Sequence, residues 1–258
     1  MAANVQDVIM LIGDSITQGG WESHGFAQQL AYVYNRKLDV INRGLSGYNT
    51  EWAIPVLEQC FAKRDERTNL PTVRLLTIWL GANDAAQLPT RQHVPLARYR
   101  ANLRTLVRTV AAPDSPRYSP ATHVLLLTPP PVSEAMWARR QAAKDPPRVL
   151  DRRFEVTRAY ADAAREVAAE EGVHVVDVWT AIWEKAEEKE DRLSAYLADG
   201  LHLTAEGYKV VSDILMDAIN KHFPEMHPDK LQPVFPYFDQ IDDEDPRSSL
   251  QKRDAFSA

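Results

Sequence analysis

The stretch VIMLIGDSITQG, residues 8–19, decides the architecture. Its first five residues are apolar without alternation, the pattern of a strand covered on both faces. A glycine ends the run, and a serine follows two positions later. In open α/β sheets ligands bind beyond the carboxyl ends of the strands, which is where such a serine would stand. Moving outward, similar apolar runs occur at 40–41 (VI), 75–80 (LLTIWL), 124–127 (VLLL) and 173–176 (VHVV).

Helical periods fill the gaps. Leu96, Tyr99, Leu103, Leu106, Val107 and Val110 share one face. Phe26, Leu30, Val33 and Tyr34 do so more briefly, after a Gly25 that loosens the start. Residues 151–171 are rich in alanine and charge, and Gly172 is placed as their C-terminal cap. Tyr208, Val211, Leu215 and Ile219 line a last helix whose N-cap is Thr204, its hydroxyl taking an orphan N–H. This alternation predicts a doubly wound parallel α/β sheet spanning residues 1–223. Residues 224–258 form a tail with five prolines and the acidic run Asp242-Asp243-Glu244-Asp245, unsuited to a helix or a central strand.

Four short blocks fall on the rim that this topology creates: Gly13-Asp14-Ser15, the Gly44 turn (Asn42 to Gly47), Gly81-Ala82-Asn83-Asp84, and Asp199-Gly200-Leu201-His202. Together they hold the parts that acyl transfer needs. A serine hydroxyl is a weak nucleophile at neutral pH and requires a base to take its proton. Asp199 and His202, three apart before a helix, are spaced for the carboxylate to hold the near ring nitrogen and leave the far one for Ser15. Asn83 offers a side-chain donor where an oxyanion would form, although strand-end asparagines are commonly turn residues. Gly44 reads either as a tight turn or as a backbone N–H brought close to a ligand, as does the N–H of Ser15. Asp84 reads as a brace for its loop. Neither Ser15 nor Ser46 sits in a G-x-S-x-G elbow, which excludes the α/β-hydrolase scaffold. The remaining histidines, 24, 93, 123, 174, 222 and 227, read as surface or structural.

Taken together, Gly13-Asp14-Ser15-Ile16-Thr17, Gly44, Gly81-x-Asn83-Asp84 and Asp199-x-x-His202 resemble the GDSL/SGNH hydrolase family across about residues 8 to 220. The family's four invariant letters map onto Ser15, Gly44, Asn83 and His202. Residues 18–21, 42–50 and 80–85 are similar to its isoamyl acetate-hydrolysing esterase branch. The resemblance implies a flavodoxin-like three-layer sandwich with a five-stranded parallel sheet, and a preference for short-chain, acetate-type esters. One departure is Ile16, where Ser-Leu is usual.

The expectation is thus a serine ester hydrolase working through an acyl-enzyme. Ser15, Asp199 and His202 would be catalytic, and Ser15, Gly44 and Asn83 would form the oxyanion hole. Thioesters, lysophospholipids and acetylated sugars are alternative substrates on the same scaffold, and a non-catalytic binding protein is the alternative to an enzyme. No cofactor or metal is expected, since phosphate-cradling glycine motifs, H-E-x-x-H and paired C-x-x-C blocks are all missing from the sequence. With 258 residues, 45% hydrophobic, a formal charge of −6 and a pI near 5.7, the chain offers no basic tract for nucleic acid. A single cysteine, no apolar run long enough to span a bilayer and no leader-like start make the cytoplasm the expected location. Phe235, Tyr237 and Phe238 in the tail are expected either to cover the cleft or to join a second subunit in a homodimer; a disordered tail is the alternative.

Overall fold

The computed structural model describes residues 5–257; residues 1–4 and 258, the outermost parts of the expected domain and tail, lie outside the described residues. In chain order the elements are β1 (Asp7–Gly13), α1 (Ser15–Gln18), α2 (Phe26–Val33), β2 (Leu38–Gly44), α3 (Thr50–Cys60), β3 (Val73–Trp79), α4 (Leu96–Ala111), β4 (His123–Leu127), α5 (Glu134–Ala142), α6 (Phe154–Glu171), β5 (His174–Val176), α7 (Val178–Lys185), α8 (Ala205–His222) and α9 (Pro246–Ser249). The strands form one parallel sheet in the order β2-β1-β3-β4-β5, the flavodoxin-like arrangement.

The period of two in β1 divides the core. Ile9 and Leu11 face one layer of helices, packing in a cluster that includes Phe26 of α2, Ile182 of α7 and Leu215 of α8. Met10 and Ile12 face the other, in a cluster with Leu57 of α3, Leu103 of α4 and Val167 of α6. Both faces of this inner strand are therefore dry, which is why its sequence reads as unbroken apolar residues. Strand β2 is longer than the two apolar residues that mark it. It lies at the sheet edge and is mostly half-exposed, so alternation with polar residues costs it little.

Capping follows the residue types. Gly172 closes α6 in the left-handed region, with φ of +66°. The Thr204 hydroxyl accepts from the Gly207 N–H at 3.2 Å at the start of α8. Helix α6 begins at Phe154 rather than at Asp151; residues 151–153 approach it without helical backbone. Helix α3 carries Pro55 in its interior, which removes a ladder donor and obscures the helix in the sequence.

The tail does not cover the cleft, which corrects one of the two expectations for it. The N–H of Val234 donates to the Arg36 carbonyl and that of Arg253 to the Val234 carbonyl, both at 2.8 Å. The Arg36 guanidinium lies 4.3 Å over the Tyr237 ring, and Arg74 lies at the same distance over Phe256. Arg36 precedes β2 and Arg74 opens β3, so these contacts gather at the amino ends of the strands, opposite Ser15. Met226 and Leu231 enter the core itself, while Phe238 projects into solvent.

On the rim side, Asp84 ties the loop after β3 to the start of α3. Its carboxylate accepts from the Thr50 N–H at 3.0 Å and from the Thr50 hydroxyl, which also receives the Asn102 amide at 3.0 Å. Burial pushes the Asp84 carboxyl up to about 7, against the pull of the Thr50 bonds. The folded state therefore keeps a proton that the unfolded chain has already released. That contribution to stability is full below the ordinary aspartate range and is lost as pH rises through about 7. Asp84→Asn retains an acceptor for Thr50 without titrating. Its melting temperature relative to the parent should climb by several degrees between about pH 4 and pH 7.5. Thermal melts across that range, showing a difference independent of pH, would refute the assignment.

Candidate active site

Asp14 turns the chain out of β1: its carboxylate accepts the Ile16 N–H at 2.9 Å, and Ser15 becomes the first residue of α1. The first N–H groups of a helix have no intrahelical acceptor. Among the described residues no hydrogen bond engages that of Ser15. Burial pushes the Asp14 carboxyl up to about 6, opposed by the Ile16 N–H and by the charges of His202 and Arg152.

The turn before α8, a helix in the same layer as α1 and α2, brings His202 to the serine. The Ser15 Oγ lies 2.9 Å from His202 Nε2, and His202 Nδ1 lies 2.8 Å from Asp199 Oδ2. The other oxygen of Asp199 accepts the N–H groups of Leu201 and His202 at 3.0 and 2.9 Å, so the carboxylate and the ring are fixed by the same short turn. Arg140 of α5 forms an ion pair with Oδ2 as well. Burial works to raise the Asp199 carboxyl, but the bonds and charge of His202 outweigh it and hold the group at about 2. Across neutral pH Asp199 is thus an acceptor only. The ring proton belongs on Nδ1, and Nε2 presents its lone pair to the Ser15 hydroxyl.

Asn83 is held more tightly than a turn residue requires. Its Oδ1 accepts from Arg152 at 3.1 Å and from Gln92 at 3.2 Å, and one amide hydrogen goes to the Tyr48 carbonyl at 2.9 Å. The second amide hydrogen is left for the cleft. Arg152 is almost wholly buried. It pairs with Asp151 at 2.9 Å and also donates to the Ala82 carbonyl at 2.9 Å and to Gln92 Oε1 at 3.2 Å.

The structure places Gly44 differently from the expectation. Its N–H donates to the Asn42 side chain at 2.8 Å, and the residue does not line the cleft. A Cβ there would lie 2.1 Å from the Gln18 nitrogen, so the glycine is required by the close approach of α1 to the end of β2. Gly47, with φ of +84°, lines the cleft instead, and among the described residues no hydrogen bond engages its N–H.

The cleft is a cavity of about 730 Å³ with Ser15, Gly47, Asn83 and His202 among its walls. Helix α5 supplies one side. Trp137 donates from its indole to Asp151 at 2.7 Å, and its ring centre lies 6.3 Å from that of His202. Met136, its neighbour, is not part of the wall. Among the described residues no group of three or more His, Cys, Asp or Glu side chains is arranged to hold a metal ion, and no helix is long and apolar enough to cross a membrane.

Sequence reasoning did not find Arg152, Gln92, Arg140 or Gly47. For Arg152 a signal existed. Arg152-Arg153 would put two cations at the start of a helix, where the macrodipole disfavours them. Such a pair argues for a helix that starts later and for an arginine engaged elsewhere.

Residues 11–210 match the GDSL-like lipase/acylhydrolase family. The chain is 36% identical over 257 residues to a GDSL esterase/lipase of Arabidopsis thaliana, covering 95% of this chain and 98% of that one. It is also 36% identical to the isoamyl acetate-hydrolyzing esterase 1 homolog of Mus musculus, with 94% and 91% covered. Among solved structures it resembles a lipase/acylhydrolase from Enterococcus faecalis, with a TM-score of 0.61, 23% identity, and 88% of this chain and 98% of that chain covered. A catalytic mutant of an acetylxylan esterase from Geobacillus stearothermophilus gives a TM-score of 0.58 at 19% identity, with 85% and 95% covered. The chain belongs to the GDSL-like lipase/acylhydrolase family and is a carboxylic ester hydrolase.

If Arg152 works through Asn83, the two residues should be coupled. Arg152→Lys keeps a charge for Asp151 but loses the planar fork. It should lower kcat by about tenfold, against about 10²–10³ for removal of the Asn83 donor itself. In an Asn83→Ala background the same change should cost little more, as a double-mutant cycle of ester hydrolysis would reveal. Independent, additive losses would separate the two side chains.

Proposed function

As a member of this family, we propose that the chain hydrolyses short-chain, acetate-type esters through an acyl-enzyme, with Ser15, His202 and Asp199 as its catalytic residues. The observation that carries the reading is the unbroken line from Ser15 Oγ through the His202 ring to Asp199, with contacts of 2.9 and 2.8 Å. In this mechanism Ser15 Oγ attacks the ester carbonyl while Nε2 of His202 takes the hydroxyl proton. The ring becomes cationic beside a carboxylate that does not need to take up a proton to respond, which favours the charged state.

The negative charge that develops on the carbonyl oxygen meets the N–H groups of Ser15 and Gly47 and the free amide hydrogen of Asn83. Gly47 takes the part expected of Gly44, whose N–H is already satisfied by Asn42. Donors fixed in advance do not reorganise when charge appears, which is the source of their effect on rate. Arg152 and Gln92 would serve this end by occupying Asn83 Oδ1, so that the amide cannot turn its oxygen toward the oxyanion. His202 then returns the proton to the departing alcohol. In the second half-reaction it draws a proton from water, which attacks the acylated serine and releases the acid.

Two observations support the short acyl group. Relatives at 35–37% identity are isoamyl acetate-hydrolyzing esterase homologs. In addition, the wall beside the site carries Trp137, its ring centre 6.3 Å from that of His202, a bulky neighbour for the group attached to the serine.

With p-nitrophenyl acetate, the parent should show a burst of nitrophenol followed by slower turnover, and a fluorophosphonate should label Ser15. Ser15→Ala should lose the burst, the label and all but a residual part of kcat while melting like the parent. Across acetyl, butyryl and octanoyl esters and an acetyl thioester, kcat/KM should be highest for the acetyl ester. Unchanged hydrolysis by Ser15→Ala would end the assignment of the nucleophile, and a maximum at octanoyl or at the thioester would end the assignment of the substrate.

A further inference from the structure

The catalytic cleft carries a surplus of positive charge on a protein whose net charge is −6. Four cations line it: Arg140, Lys144, Arg148 and Arg152. Two are paired, the part-exposed Arg140 with Asp199 and the buried Arg152 with Asp151. Among the described residues Asp151 is the only carboxylate in the lining, and it is consumed by that pair together with the Trp137 indole and the Gln141 amide at 2.7 and 3.1 Å. Lys144 and Arg148 have no ion-pair partner among the described residues.

Their placement is specific. Both belong to the segment that follows α5, and its backbone is pinned by the Lys144 and Arg148 N–H groups, which donate to the Gln141 carbonyl at 3.2 and 3.0 Å. Arg148 also lines a second groove, which runs on from the catalytic cleft past Ser46 and Gly47 along Tyr48 and Trp52. The acid in that groove, Glu51, is taken by Arg98 at 3.0 Å. A substrate that reaches from the serine toward this groove therefore passes Lys144 and Arg148, has Arg91 beyond them, and meets no free carboxylate among the described residues.

Resting on the esterase reading above, we infer that Lys144 and Arg148 form an anion-recognising rim, and that the preferred esters carry an anionic group, a carboxylate or a phosphate, on the part that points out of the cleft. A local excess of one charge sign over a low-dielectric wall concentrates ligands of the opposite sign and speeds their encounter. Arginine and lysine suit both anions, arginine through its fork and lysine as a point charge.

The test compares kcat/KM for three acetate esters with one acyl group: 4-acetoxybenzoate, 4-acetoxyphenyl phosphate and the neutral 4-acetoxybenzamide. The readout is each anionic-to-neutral ratio in the parent and in Lys144→Glu/Arg148→Glu, so that intrinsic differences in ester reactivity cancel. At low ionic strength, charge reversal should lower at least one ratio by about tenfold or more. Added salt should lower the same ratio in the parent. The ester whose ratio falls further identifies the anion. Ratios unchanged by charge reversal would overturn the rim while leaving the esterase intact. Failure of the parent to hydrolyse any of the three would instead overturn the esterase reading, and the rim with it. A second variant, Lys144→Gln/Arg148→Gln, should fall between the two; behaviour like the parent would also count against the inference.

Discussion

Everything at the rim depends on β1 being hydrogen-bonded along both edges. Gly13 pairs with Gly44 of β2 on one side and with Trp79 of β3 on the other. Three chain segments are thus released from the sheet at one level, and they carry Ser15, the Gly47 turn and Asn83. A slip of one residue in either ladder would turn Ile12 and its neighbours to the wrong face, so the register is set by the two dry cores and not by the site. The reactive geometry is inherited from packing.

What the packing cannot supply, charge pairs do. Two carboxylates, Asp199 and Asp151, are each bound to an arginine and each hold a ring: Asp199 the imidazole of His202, Asp151 the indole of Trp137. Burial of charge is costly unless partners satisfy it. Here the partners lie on α5 and on the segment leading into α6, so satisfying the carboxylates also draws these elements against the strand ends. The same contacts that neutralise the interior give the site its walls.

Much of this was legible in the chain. The five apolar runs mark five strands, and the Ser15, Asn83 and Asp199-to-His202 blocks emerge on one rim because parallel strands send all their carboxyl ends the same way. The edge strand was faint, since its exposed and half-exposed positions tolerate Asp39, Asn42 and Arg43. Glycine was the ambiguous letter. Gly44 and Gly47 are three residues apart in one turn; one is needed because backbone presses against it, the other because of a left-handed φ at the cleft wall, and composition does not separate these demands. Arg152 was hidden for a different reason. Its partners Ala82, Asn83 and Gln92 lie some sixty or seventy residues earlier, a distance that no local pattern bridges.

The tail docks where the strands begin, while the serine sits where they finish. One face of the molecule is therefore available as a handle. Coupled to a bead, a membrane anchor or a fused partner through the face that the tail covers, the protein would turn its open mouth toward the bulk solution, with the length of the strands standing between attachment and chemistry.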